Sequence, residues 1–209
     1  MPPLSTHFNF AKIFFNNYEA DYNKYLYLLG VLAPDTFRID SEFYQYHFWS
    51  DDIDPDYFRQ VTENSGLNRL QCSFREGYFA HLWLDKYIRR DGLEFIYNHI
   101  KKLDYYCNRE IVSDQMRYYD LQEINQFLID IEKKGSINYI DQIKGLNYIY
   151  LPEIINRFRV VMDTFKINKR SEERKIIFSK EAYHQFLTGI LLKYVKELEK
   201  NDYQKSYQF

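Results

Sequence analysis

Large apolar residues recur along this chain at intervals of three and four, the spacing of one face of a helix. Phe8, Ala11, Phe14 and Phe15 mark a first helix, with Ser5 or Thr6 placed to cap its start. Tyr25, Leu28, Leu29 and Leu32 mark a second, from about Asp21 to Leu32. It must end at Ala33-Pro34, because the residue before a proline is pushed out of the helical region. The acidic stretch Asp51-Asp52-Ile53-Asp54-Pro55-Asp56 reads as a turn in which Asp54 caps a helix beginning at Pro55. From Leu67 to Arg90 the residues Phe74, Tyr78, His81, Leu82 and Asp85 share one broad helical face, and Asp91-Gly92 stops it. The same reading predicts helices at about 92–104, 119–133, 151–165 and 179–200, with the charged run from Lys166 to Lys175 as a solvated loop. There is no internal repeat and no linker long enough to separate domains. The pattern predicts one all-α domain over residues 1–209.

Composition narrows the class. The 209 residues include 21 Tyr, 17 Phe and 2 Trp but only 7 Gly and 5 Pro, which excludes a disordered or collagen-like chain and leaves few tight turns. A chain of this length buries a full core without staples. Lys and Arg number 28 against 30 Asp and Glu, for a net charge of −2. That balance lacks the strongly basic character of a dedicated nucleic-acid binder. Cys72 and Cys107 are too few for a disulfide framework and lack the spacing of a zinc ribbon, so both are expected as reduced, partly buried thiols. No run reaches the roughly 18 to 20 apolar residues of a membrane span. The first residues show no basic and apolar leader, so the expectation is a cytoplasmic protein.

The chemistry sits in the histidines: His7, His47, His81, His99 and His184. His81-Leu82-Trp83-Leu84-Asp85 is an H-x-x-x-D pair inside a helix. Residues four apart lie on one face, with Cβ atoms about 5–6 Å apart, so both side chains can grip one cation. Imidazole nitrogen with carboxylate oxygen suits zinc, and also manganese or iron. The plainer alternative is a simple surface pair. Asp35 follows a proline-ended helix, where aspartate commonly makes only a turn hydrogen bond, but Gly30 and Ala33 allow close backbone approach around it. His47 lies in the aromatic run Tyr44-Gln45-Tyr46-His47-Phe48-Trp49, and His7 lies near the first turn of the first helix.

Taken in order, His7, then Leu29-Gly30-x-x-Ala33-Pro34-Asp35, then His47-Phe48, then Gly77-Tyr78-x-x-His81-Leu82-x-x-Asp85 resembles the zinc-dependent phospholipase C family. That family shares its all-helical bundle with the S1/P1-type single-strand nucleases, and the resemblance covers about residues 1–90. It implies that Asp35, His47, His81 and Asp85 hold one zinc ion, and that His7 holds a second with Asp85 bridging. It implies also that Asp35 is ligand, general base, or both in turn. Tyr46, Trp49 and Tyr78, close in sequence to these ligands, are expected to line the mouth of the site.

The chain departs from the family after Asp85. The usual further histidine and H-x-x-x-E are missing, and the sixth position after Asp85 is Asp91. Asp91, Glu110, Asp114 and Asp120 are the substitute carboxylates, while His99 and His184 fit a helix surface or packing role better. One or two zinc ions are therefore expected. The implied activity is hydrolysis of a phosphodiester, on a small phosphoester or a lipid head group, by metal-activated water. The alternatives are a nuclease or nucleotide phosphatase on the same site, and a non-catalytic helical protein with a residual or structural metal. Residues 91–209 are expected to be a helical C-terminal part, and most aromatic residues to be core.

Overall fold

The computed structural model describes residues 2–35, 45–48, 52–62, 66–89, 105–134, 143, 146, 151–167 and 178–206. Among them the regular elements are helical, with no strand. They are α1 (Leu4–Asn17), α2 (Lys24–Leu32) with the tight turn Ala33–Asp35, α3 (Pro55–Val61), α4 (Arg69–Tyr87), α5 (Tyr105–Lys134), α6 (Leu151–Ile167) and α7 (Lys180–Ser206). No helix of the described residues is long and apolar enough to cross a membrane.

Local sequence accounts for the starts of α2, α3 and α4. Asp54 accepts from the amides of Asp56 and Tyr57 at 3.1 and 3.0 Å, as expected of a cap before Pro55. Asn68 opens α4 through a reciprocal capping box. Its side chain accepts from the amides of Leu70 and Gln71, and its own amide donates to the Gln71 side chain at 2.8 Å. Asn23 caps α2 by accepting from Leu26, while its amide donates to Ser73 of α4 at 2.8 Å.

The first helix corrects the sequence reading. It begins at Leu4 after Pro3, which supplies no side-chain cap, so Ser5 and Thr6 lie inside the first turn. Their hydroxyls go to Asp120 of α5 instead. The predicted helix at 119–133 begins fourteen residues earlier, at Tyr105. The predicted helix at 92–104, and the Asp91-Gly92 stop predicted for the helix before it, lie outside the described residues.

Every residue of α2 from Tyr25 to Leu32 is buried. A helix apolar on all sides belongs at the centre of a fold, and here α1, α4, α5 and α6 all touch it. Two glycines set how closely it crosses α4. A Cβ on Gly30 would come within 2.0 Å of the Phe74 carbonyl oxygen, and one on Gly77 within 1.9 Å of the Tyr27 carbonyl oxygen. The two helices therefore meet backbone against backbone. Aromatic rings fill the space around the crossing. Tyr27 stacks on Phe14 at 5.7 Å and meets Phe15 edge-on at 5.0 Å. Tyr194 of α7 meets Phe10 and Trp83 edge-on at 5.4 and 5.2 Å. Much of the aromatic content is thus core, worth about 0.5–1.5 kcal/mol per ring pair beyond buried area.

Candidate metal centre

The close crossing of α2 and α4 brings the end of one helix against the middle of the other. The Val31 carbonyl sits 2.7 Å from His81 Nδ1. A carbonyl only accepts, so Nδ1 carries the proton and Nε2 of a neutral His81 presents a lone pair. Ala33-Pro34-Asp35 then turns tightly, which sets Asp35 beside the same ring. His47 arrives from a turn whose next residue, Phe48, has φ of +49°. That left-handed conformation costs an aromatic residue about 1–2 kcal/mol. Packing holds it: Phe48 meets Phe58 edge-on at 5.0 Å, and the Asp54 amide donates to its carbonyl at 3.3 Å.

The result is a cluster of ligand-type atoms from four separate segments. His47 Nε2 lies 3.3 Å from His81 Nε2, 3.5 Å from Asp85 Oδ2 and 3.6 Å from Asp35 Oδ1. His81 Nε2 lies 3.3 Å from Asp85 Oδ2. On the other side of the same carboxylate, His7 Nε2 lies 3.2 Å from Asp85 Oδ1. The His7 ring stacks on that of His81, with centroids 4.0 Å apart and planes within 5°. His7, Asp35 and His81 form one group able to share an ion, and His47, His81 and Asp85 form another.

These separations have a chemical meaning. Ligands about 2.0–2.1 Å from a tetrahedral ion stand roughly 3.4 Å from one another. The distances from 3.3 to 3.6 Å among His47, His81, Asp85 and Asp35 match that edge. Both Asp85 oxygens and both His7 ring nitrogens are buried without a hydrogen-bond partner. A buried carboxylate left in that condition is costly unless a cation faces it. The residues present therefore fit a divalent ion, with nitrogen and oxygen donors of the type zinc accepts.

The charge states of Asp85, Asp35 and His7 agree. Burial pushes Asp85 up, but the facing His81 and His7 outweigh it and hold the carboxyl well below the usual range. Asp35 behaves likewise, with burial opposed by the facing His47 and by the charge of His81. Burial, helped by His81, pushes His7 down and favours the neutral ring. For His81 burial also works downward, but Asp85 outweighs it and the net direction is up. The carboxylates and His7 are thus in their ligand forms, whereas His81 favours its proton beside Asp85 and would release it to an ion.

The five residues that the sequence singled out thus converge, and among the described residues the substitutes Asp114, Asp120 and His184 do not join them. Asp114 is exposed and pairs with Arg117 at 3.1 Å. Asp120 is buried, but its oxygens accept from Ser5, Thr6, Asn9 and Tyr183. His184 is exposed on α7. Asp91, His99 and Trp49 lie outside the described residues, as does the Glu110 side chain. Tyr46 and Tyr78 are buried, which corrects the expectation that they line an opening. The Tyr78 hydroxyl donates to the Tyr46 carbonyl and its ring stacks on Phe58 at 4.8 Å, so the pair supports the His47 turn from behind. Two supporting features leave no mark in the sequence, the Val31 carbonyl and the Asp120 network. The first is backbone, and the second joins residues more than a hundred positions apart.

Comparison of the chain with protein-family models, with curated proteins and with solved structures gives no match.

Proposed function

We propose that this protein is a metal-dependent phosphoesterase, zinc being the favoured ion, of the phospholipase C type that the ordered His and Asp motifs resemble. One observation carries the reading: the Asp85 carboxylate presents Oδ2 to His47 and His81 and Oδ1 to His7, the posture of a carboxylate shared between two ions. His47, His81, Asp85 and Asp35 would hold one ion, and His7 with Asp85 a second. When bound there, a divalent ion would supply Lewis-acid chemistry, polarising a phosphoryl oxygen and lowering the pKa of water towards 7.

The chain's own groups divide the remaining work. His81, its Nδ1 proton tied to Val31, is fixed in direction with Nε2 turned to the cluster. Asp35 is the outermost of the five, its side chain 16% exposed where the other four are at most 1%. Ionised and at the open edge, it is the group placed to orient an attacking water and to take its proton on a carboxylate oxygen. The burial of His7, His47, His81 and Asp85 keeps competing water out and strengthens every charge interaction inside. The near-even charge favours a small phosphodiester or lipid head group over a nucleic-acid backbone.

That same burial favours a second reading, a closed structural metal site with no place for substrate. One experiment separates the two. Protein purified without added metal is assayed for zinc content and for hydrolysis of bis(p-nitrophenyl) phosphate, as such, after chelation, after zinc is restored, and as Asp85→Asn. The enzyme reading expects bound zinc and a rate that falls at least 100-fold on chelation or substitution and returns with zinc. Bound zinc with no rate above buffer selects the structural reading. Absence of zinc uptake defeats both.

A further inference from the structure

The first turn of α1 carries His7, yet no cap of its own fixes that turn. Pro3 provides no side-chain cap, and the turn has no acidic residue. The fixing groups come from α5 and α7. Asp120 of α5 is fully buried. Its Oδ2 accepts from the Ser5 hydroxyl at 3.1 Å and the Thr6 hydroxyl at 2.8 Å. Its Oδ1 accepts from the Asn9 amide at 2.9 Å and from the Tyr183 hydroxyl, also at 2.9 Å. The Thr6 and Tyr183 hydroxyls touch at 3.1 Å.

At about 100° per residue, Ser5, Thr6 and Asn9 fall within one arc of roughly 100°, and His7 lies about 150° from its middle. Asp120 therefore grips the side of α1 opposite His7. Rotating the helix by about 20° would carry a side-chain tip, some 5–6 Å from the axis, by about 2 Å. His7 has no such latitude, with Nε2 3.2 Å from Asp85 and its ring stacked 4.0 Å from that of His81. Apolar packing tolerates small rotations, whereas three directional bonds from one helix face to a single carboxylate do not.

We infer that Asp120 is a positioning residue for His7, locking the rotation of α1 so that the imidazole faces Asp85 and His81. The inference rests on reading His7 as a metal-site residue and deepens that reading. The lock itself does not depend on the metal, which lets the two be tested apart.

Histidine ring resonances of the metal-free protein, together with zinc titration, provide the test. Wild type, Asp120→Ala, Asp120→Asn, His7→Ala and the double variant Asp120→Ala/His7→Ala are compared, with helical content checked by circular dichroism. In Asp120→Ala the His7 ring protons should lose the ring-current shift imposed by His81, while His47 resonances stay in place. Uptake of the second zinc equivalent should weaken at least tenfold, and that of the first less than threefold. Asp120→Asn, which keeps an acceptor oxygen, should recover most of the loss. The double variant should bind zinc as His7→Ala alone does.

The inference is overturned if Asp120→Ala leaves His7 and the second zinc unchanged. It is equally overturned if His47 and the first zinc change as much as His7 and the second, or if the double variant binds more weakly than His7→Ala. Should Asp120→Ala fail to fold, Thr6→Val and Asn9→Ala each remove one bond and are read the same way; no graded movement of His7 in either would sink the idea. If wild type takes up only one zinc equivalent, the reading of His7 as ligand of a second ion falls, and if it takes up none the metal reading falls. In both cases the ring shifts still decide the role of Asp120.

Discussion

Asp120 titrates where few carboxyls do. Burial pushes it up to about 6, and its four hydrogen bonds only partly offset that push. A carboxyl whose folded pKa is raised contributes stability that is complete below its unfolded value near 3.8 and is lost as pH rises through about 6. The shift corresponds to about 3 kcal/mol. Wild type should therefore lose stability relative to Asp120→Asn between pH 4 and pH 7. The difference between the two denaturation profiles isolates this group from every other titrating group. A difference that does not vary with pH would show that Asp120 keeps an ordinary pKa. Glu123, one helical turn along α5, has the opposite sign. Hydrogen bonds from Lys12 and Lys180 hold it at about 2, so its contribution is present above pH 4.5 and fades as pH falls towards 2. With a third of its side chain in solvent, screening limits the effect to about 1 kcal/mol. Glu123→Gln should lose about that much at pH 7, and half a molar salt should shrink the gap between variant and wild type.

The helices show what can be read locally and what cannot. Spacing of apolar residues and the Asp54-Pro55 start locate α3, and the run around His81 locates α4. The start of α5 is not legible, because its buried side includes Gln115, which donates to the Tyr119 hydroxyl and to the Phe178 carbonyl. A polar residue in the inward stripe breaks the periodic signal. The site is legible as residue types in order, since His81 and Asp85 share a helix face by spacing alone. The approach of His7 and His47 is not, because long-range packing sets it. The crossing of α2 and α4 lies between these cases: Gly30 and Gly77 are visible in the sequence, but their mutual contact is not. Gly30→Ala or Gly77→Ala would drive a Cβ into backbone, which cannot yield as a side chain tip can. Each should cost at least about 2 kcal/mol, or roughly 4–8 °C in Tm. Gly189 of α7 is the control. A Cβ there meets nothing within 4 Å, so Gly189→Ala should leave stability unchanged or raise it by about 0.5–1 kcal/mol through helix propensity.

At the scale of the whole molecule, the candidate metal residues tie α1, the turn after α2, the His47 turn and α4 into one cluster. Those segments are distant in sequence, and an unfolded chain does not hold them together. An ion that binds only the folded cluster stabilises the entire chain, by about 2.7 kcal/mol when it is present at 100 times its Kd. For a chain of this length that is roughly 5–10 °C in Tm. Zinc added to chelator-treated wild type should raise Tm by that amount, and the rise should grow with the logarithm of zinc concentration. Asp85→Asn removes the charge that both halves of the cluster share, so its Tm should not respond to zinc. Gly30→Ala opens the crossing that sets Val31 against His81, so it should lower the zinc response as well as the starting Tm. A wild-type Tm indifferent to zinc and chelator would mean that the buried charge of Asp85 is balanced by protons on its histidines alone. The cluster would then have no unmet charge for an ion to satisfy.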